Sequence, residues 1–231
     1  KILNLVKHDL KLLKILGGEP FFNPRVIKFL ELLVENGKAQ DIKLHITTNG
    51  TICNDKILSL LKKFKDLRIV FSVDGWGKCN EYMRFPSSWK VISNNIKTFK
   101  KNLVNAYIMI NCVVQNLNVL YVDQLLKFAN QNEIFIKLDM VLEPDWLHLS
   151  ILPKNVLSMA HKKLSSIKDE DLLHTDNVKE IINLLGQHIN NYKLDEDKYK
   201  NFIDMINKRD NYRKVHIKDY MPELAEEILC K

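Results

Sequence analysis

The stretch "LKLLKILGGEPFFNP", from Leu10 to Pro24, joins an apolar run to the start of a helix-like pattern. It begins as an apolar run with interleaved lysines, which predicts a strand over 10–17, and ends abruptly in Gly-Gly-Glu-Pro. Two residues without a Cβ let a ligand approach the backbone and expose its carbonyl oxygens, and the adjacent carboxylate is a strong acceptor for an ammonium group. The segment therefore suits the binding of an amine, such as the amino group of an amino acid.

The same strand–helix unit recurs through the first half of the chain. Apolar runs predict further strands at 42–49, 67–74, 106–114 and 134–141, and amphipathic stretches predict helices at 24–36, 54–64, 89–102 and 120–132. This alternation implies right-handed crossovers and a mainly parallel sheet with helices on its outer side. The carboxyl ends of parallel strands share one edge of the sheet, where ligands bind.

Four polar clusters lie at these predicted strand ends: "GGEP" (17–20), "TTNG" (47–50), "SVDG" (72–75) and "NCVVQN" (111–116). Each of them alone is explained by turn chemistry, because glycine, asparagine and aspartate favour turns. Four such clusters in step, each after an apolar strand, instead favour a shared binding site.

The second half of the chain has a different pattern. Residues 143–153 look irregular, and helical periodicity then predicts helices at 153–166, 177–192, 195–212 and 221–229. We expect residues 143–231 to form an appendage to the core rather than an independent domain.

Composition excludes several function classes. The 231 residues are 46% hydrophobic and 27% charged, as in ordinary soluble globular proteins, and no apolar run is long enough to span a membrane. We expect a cytoplasmic protein without membrane association. The net charge of +7 comes mainly from scattered lysines, which favours a solvated surface over nucleic-acid binding.

The four cysteines, Cys53, Cys79, Cys112 and Cys230, lack the spacing of metal ligands. Scattered thiols favour a reduced compartment, and the sequence shows no complete metal site. His45 alternates with apolar neighbours in a predicted strand, which favours a structural role.

The motifs "GGEP", "TTNGT" and "SVDG", the last followed by "NEYMRFPSSW", together resemble radical S-adenosylmethionine enzymes. The resemblance is strongest to the SPASM or twitch branch, and the C-terminal tail is similar to that of some phage and marine bacterial members. It implies a partial (β/α)6 TIM-like barrel within an α/β fold. Residues 1–142 would form the barrel core, and residues 143–231 its final elements and a helical C-terminal extension.

The resemblance also implies roles for the strand-end residues. In the family, the Gly-Gly-Glu-Pro segment binds the amino group of S-adenosylmethionine, and polar residues at the next strand ends contact its ribose and carboxylate. Carried over to this chain, the first group is Gly17, Gly18, Glu19 and Pro20. The second group is Thr48, Asn49, Ser72 and Asp74.

Three further positions are implied by their place after the motifs. Arg84, in "YMRFP", is a candidate for binding the methionine carboxylate, and its alternative is a surface arginine paired with Glu81. Asn111 and Gln115 are candidates for lining the pocket from the next strand.

The chain departs from the family in one respect. The three cysteines of the family's Cys-x3-Cys-x2-Cys loop, which bind a [4Fe–4S] cluster, precede the Gly-Gly motif, and no cysteine precedes Gly17 here. We expect the chain to begin after the first barrel strand and this loop. A degenerate homologue that has lost the cluster is the alternative.

The expected function is that of a radical enzyme fragment, inactive as given. The intact protein would cleave S-adenosylmethionine reductively to a 5′-deoxyadenosyl radical, which abstracts hydrogen from a peptide, cofactor precursor or nucleoside. The cluster would need a reductant.

There are two alternative functions. One is that of a barrel of the same fold that binds a nucleotide or peptide without a cluster, and the other is that of a metabolic barrel enzyme using phosphate or a divalent metal. The second alternative needs strand-end carboxylates, for which only Glu19, Asp74 and Asp139 are available.

Overall fold

The computed structural model describes residues 10–168, 170 and 175–229. Within these ranges, six strands form one parallel sheet in the order in which they occur along the chain. They are β1 (Leu12–Ile15), β2 (Lys43–Thr48), β3 (Asp66–Ser72), β4 (Tyr107–Val114), β5 (Phe135–Met140) and β6 (Thr175–Asp176). The five strands expected from the sequence are confirmed. The sequence analysis missed β6, since two residues carry no periodicity.

Ten α-helices occur in the same ranges. They are α1 (Pro24–Glu35), α2 (Asp55–Leu61), α3 (Lys78–Met83), α4 (Trp89–Asn102), α5 (Val122–Gln131), α6 (Lys154–Ser165), α7 (Val178–Asn190), α8 (Glu196–Arg213), α9 (Ile217–Tyr220) and α10 (Pro222–Leu229). The short helices α3 and α9 were not predicted, and every predicted helix is present with small shifts at its ends. None of the helices in the described part is both long and apolar enough to cross a membrane.

Local sequence explains where the first helices begin. The side chain of Asn23 accepts a hydrogen bond from Arg25 N, and Pro24 occupies the first position of α1. The side chain of Asn54 caps α2 in the same way by accepting from Ile57 N. Both side chains satisfy backbone N–H groups that have no partner within the first turn of a helix.

The chain packs as two compact units. Of the described residues, the first unit contains 10–72 and 90–110. Its strands β1, β2 and β3 pair in parallel, with Ile15 opposite Ile46 and Thr48 opposite Phe71. Phe99 of α4 lies between Phe21 and Phe71, with ring centroids 5.7 and 5.5 Å away. This aromatic contact anchors the segment after Glu19 in the core of the first unit.

The second unit contains 73–89 and the described residues from 111 onward. Helix α6 packs against α7, and α10 packs against both α6 and α9. Its buried side chains include Leu138, Leu157, Leu185, Phe202 and Leu224. The boundary expected between 142 and 143 stays a prediction.

Candidate functional site

The segment that follows β1 has a backbone that favours glycine. Gly17 and Gly18 have φ angles of +84° and +57°, in the left-handed region that other residues rarely adopt. A Cβ at either position would meet nothing within 4 Å, so the backbone angle, not crowding, is the reason for glycine. Both residues are exposed, and their peptide groups face solvent beside Glu19.

Glu19 is fixed by three hydrogen bonds. Its Oε1 accepts from Phe21 N at 3.2 Å and from Thr48 Oγ1 at 2.8 Å, and its Oε2 accepts from Asn49 N at 2.8 Å. We call Glu19, Thr48 and Asn49 the Glu19 cluster. A carboxylate has about four lone-pair positions, so three donors leave one of them for a further donor. The cluster therefore presents an oriented, half-buried anion at the carboxyl ends of β1 and β2.

The end of β2 is itself held in place. The buried Thr48 hydroxyl accepts from Gly50 N at 3.1 Å while it donates to Glu19. The side chain of Asn49 turns away to accept from Thr51 N and Thr51 Oγ1, at 2.9 and 2.6 Å. The backbone of Asn49, rather than its amide side chain, therefore contacts Glu19.

Pro20 and Ser72 complete the predicted residues of the first unit. Pro20 is buried and opens the short 3₁₀ turn Pro20–Phe22, which turns the chain toward α1. Ser72 is half-buried and ends β3 directly after Phe71, the residue paired with Thr48. Ser72 thus lies at the same sheet edge as Thr48 and Asn49.

The second unit holds a separate group of strand-end residues around Asp74. Asp74 Oδ2 lies 2.7 Å from Arg84 Nη2, and Oδ1 accepts from Val113 N at 3.1 Å. The alternative that pairs Arg84 with Glu81 is wrong, because the carboxylate that pairs with Arg84 is that of Asp74. Glu81 Oε1 accepts from Trp89 N at 2.7 Å. The arginine therefore neutralises Asp74, which is no longer an isolated anion.

Two asparagines that the sequence analysis missed hold Asp74 by its backbone. Asn80 Oδ1 accepts from Asp74 N at 3.2 Å, and Asn118 Nδ2 donates to Asp74 O at 2.6 Å and to Val113 O at 2.8 Å. Both side chains are fully buried. The available signal was an asparagine inside the apolar run "LNVLYV", since a buried amide needs hydrogen-bond partners.

The two pocket-lining candidates on β4 have different surroundings. Asn111 is half-buried, and its backbone carbonyl accepts from Val73 N at 3.1 Å. Gln115 follows the end of β4, and its N–H donates to Asn118 Oδ1 at 2.8 Å. The hydrogen bonds of both residues described here run through their backbones.

The described cysteines do not fit an iron–sulfur cluster. Cys79 and Cys112 are buried and Cys53 is half-buried. Burial raises the pKa of all three thiols, whereas metal binding requires thiolates. Among the residues that the structure describes, no group of three His, Cys, Asp or Glu side chains is arranged to hold a metal ion. Cys230 lies outside the described residues.

Comparison with known proteins places the chain in a family. The model of the radical SAM superfamily matches residues 1–129, which is more than half of the chain. No curated protein gives a significant match.

Several solved structures are similar to the chain. Streptococcus suis SuiB bound to S-adenosylmethionine is 22% identical over 59% of this chain and 31% of its own, with a TM-score of 0.46. SuiB bound to its precursor peptide SuiA is 22% identical over 56% of this chain and 28% of its own, with a TM-score of 0.45. TYW1 with a lysine–pyruvate adduct bound is 15% identical over 66% of this chain and 49% of its own, with a TM-score of 0.42. The chain thus spans less than half of each of these proteins.

Proposed function

The chain belongs to the radical SAM superfamily, and from this we propose that its residues bind S-adenosylmethionine, with Glu19 accepting the ammonium group of the methionine part. Enzymes of the superfamily use S-adenosylmethionine and a [4Fe–4S] cluster. The SPASM or twitch branch, suggested by the sequence motifs, stays a prediction.

One observation carries the proposal: the carboxylate of Glu19 is oriented before any ligand arrives. Thr48 Oγ1 and Asn49 N hold its two oxygens from the end of β2, each at 2.8 Å. A fixed carboxylate loses little conformational entropy on binding, and a hydrogen bond between two charged groups is stronger than a neutral one. An α-ammonium group is a matching donor for the remaining acceptor position.

The neighbouring residues support this role of Glu19. Gly17 and Gly18 are exposed and nothing lies within 4 Å of where a Cβ would stand, so a ligand has access to their peptide groups. Pro20 fixes the backbone on the other side, where it opens the 3₁₀ turn. Together they keep the approach to Glu19 open and its backbone rigid.

Further contacts to the cofactor are part of the same proposal. Thr48, Asn49 and Ser72 have the roles in ribose and carboxylate contact that the family resemblance implies. The roles that the resemblance implies for Asp74, Arg84 and Asn111, which belong to the second unit, stay predictions. Arg84 donates only part of its planar fork to Asp74, and a guanidinium has five N–H donors, so a second carboxylate is a suitable partner.

The chemistry of the intact protein belongs to the proposal. Bound S-adenosylmethionine supplies, after one-electron reductive cleavage, a radical that abstracts hydrogen from a substrate. The described residues would hold and orient the cofactor, and among them no group of three His, Cys, Asp or Glu side chains is arranged to hold a metal ion. The substrate classes proposed are a peptide, a cofactor precursor and a nucleoside.

The test is calorimetric titration of the chain with S-adenosylmethionine. We expect Glu19→Gln to weaken binding by at least about tenfold, since the charge-assisted hydrogen bond is worth about 1.5–3 kcal/mol. Glu35→Gln is the matched control, because this exposed carboxylate of the same unit interacts with Lys28 on the surface of α1.

Circular dichroism spectra and thermal melts of both variants check that the fold is retained. Equal affinity of the folded Glu19→Gln variant and the parent chain would exclude Glu19 as the ammonium site.

A further inference from the structure

The first unit carries a groove at the edge of the sheet opposite the Glu19 cluster. A cavity of about 280 Å³ lies where α2 leads into β3 and α4 leads into β4. A second cavity of about 460 Å³ lies beside it, along the amino ends of β2 and β3. Leu67 and Asn105 line both cavities, so the two adjoin each other. We call the surface that the two cavities form the basal groove.

The floor of the first cavity is apolar. Leu61, Phe64, Leu67 and Leu103 line it and are almost completely buried. At its rim, the apolar side chain of Val104 is 82% exposed. The cavity therefore has room for one apolar side chain of a ligand. Such a side chain would also cover the exposed Val104 at the rim.

The rim of the basal groove is basic. Lys62 lines the first cavity and Lys65 the second, and both are exposed. Exposed Lys63 lies between them in sequence, and exposed Lys101 immediately precedes the lining residue Asn102. Of the two lining carboxylates, Asp66 is already paired with Lys43 at 3.7 Å. The other lining carboxylate is the exposed Asp41, so the lining residues hold three lysines against two carboxylates, and with Lys63 and Lys101 nearby the surface favours an acidic ligand.

The groove is formed in advance. Gln40 Nε2 donates to Lys63 O at 2.8 Å, and Lys65 N donates to Ala39 O at 3.3 Å. These two hydrogen bonds tie the loop before β2 to the loop before β3. A ligand would therefore meet a fixed surface, which lowers the entropic cost of binding.

We propose that the basal groove docks an acidic peptide segment of a partner protein, with one apolar side chain in the first cavity and flanking carboxylates on Lys62 and Lys65. A nucleic-acid strand fits less well, because the residues that line the two cavities include no arginine and the floor of the first cavity is apolar. The proposal does not depend on the function of the Glu19 cluster.

The probe for this docking site is a short fluorescein-labelled peptide that places a Leu-Phe pair between glutamates, titrated with the full chain and followed by fluorescence anisotropy. We expect the double variant Lys62→Glu/Lys65→Glu to weaken binding by about tenfold or more, and added salt to weaken binding to the parent chain. Val104→Glu, at an exposed position, should weaken it as well. The matched control is Lys200→Glu/Lys208→Glu, which changes the net charge equally at exposed positions of α8 outside the groove.

Two control peptides separate the parts of the proposal: one with glycines in place of Leu-Phe, and one with lysines in place of the glutamates. Weaker binding of both supports an apolar anchor flanked by acids. Equal binding of the two charge-reversal variants overturns the proposal, as does the absence of binding to the parent chain. Stronger binding of a single-stranded RNA oligonucleotide that Lys62→Glu/Lys65→Glu abolishes would replace the peptide by a nucleic acid.

Discussion

Asp74 and Arg84 form an ion pair, with 2.7 Å between Oδ2 and Nη2 and side chains that are 12% and 31% exposed. The pair joins Asp74 of the motif "SVDG" to Arg84 of the motif "YMRFP", ten positions later in the sequence. Asp74 is also held by Val113 N and, through its carbonyl, by Asn118. The arginine is therefore fixed by a carboxylate that is itself fixed, so its position is set before any ligand binds.

The first prediction concerns this pair. We expect Arg84→Met to destabilise the chain by about 1–3 kcal/mol, because it leaves the nearly buried carboxylate of Asp74 without its counter-ion. The partial exposure of Arg84 keeps the cost below that of a fully buried pair. Urea unfolding followed by circular dichroism gives the measurement.

The double variant Asp74→Asn/Arg84→Met is the control for this first prediction. It removes both charges, so its loss of stability should be smaller than the sum of the two single losses. Strict additivity would show that the two side chains do not interact energetically.

The second prediction concerns the support of Glu19. In Thr48→Val the methyl groups keep the buried volume close to that of threonine, but the donor to Glu19 Oε1 and the acceptor for Gly50 N are lost. We expect the affinity for S-adenosylmethionine to fall by about three- to tenfold, because the Glu19 carboxylate loses one of the hydrogen bonds that fix its orientation. Calorimetric titration measures the affinity, and Thr98→Val, on the outer helix α4, is the control. An unchanged affinity in the folded Thr48→Val variant would show that this hydrogen bond does not position Glu19.

The third prediction concerns Asn118. Its Nδ2 donates to the carbonyls of Asp74 and Val113. Asn118→Asp replaces this donor by an acceptor that faces two carbonyl oxygens, in a fully buried position. We expect a loss of about 2–4 kcal/mol in the free energy of unfolding, measured by urea titration. The exposed Asn94→Asp is the matched control and should change stability by less than about 0.5 kcal/mol.

The sheet and the Glu19 cluster were predictable from the sequence because local rules decide them. The alternation of Leu44, Ile46 and Thr48 toward the buried face follows from the two-residue period of a strand. Parallel pairing then places the ends of β1 and β2 side by side, which brings Glu19 to Thr48 across 29 positions of sequence.

The hydrogen bonds around Asp74 were not predictable in the same way. The choice between Glu81 and Asp74 as the partner of Arg84 depends on the path of the chain through α3, a helix too short to show periodicity. Asn118 likewise reaches Asp74 over 44 positions of sequence, through a turn whose shape no motif specifies. Contacts of this kind are decided by packing, which the order of residue types does not encode locally.

The last prediction concerns the pH dependence of stability through His188. Its ring lies 5.5 Å from that of His148, centroid to centroid, and its Nε2 is buried without a hydrogen-bond partner among the described residues. Burial, followed by the proximity of His148, lowers the pKa of His188 below its ordinary value of 6.5. The unfolded chain therefore binds more protons than the folded chain as the pH falls below about 6.5. The contribution of His188 to the free energy of unfolding is fully present above about pH 6.5 and is lost as the pH falls toward the lowered pKa of the folded state.

The measurement is urea unfolding of the parent chain and of His188→Gln at a series of pH values between about 7.5 and 5.5, where aspartate and glutamate side chains of ordinary pKa contribute little. The free energy of unfolding should decrease with falling pH more steeply in the parent chain than in the variant. The pKa of His45 is also lowered by burial, but His45 is present in both proteins, so its contribution cancels in the difference. Parallel pH profiles of the two proteins would show that the His188 ring takes up its proton equally well in the folded and unfolded chain.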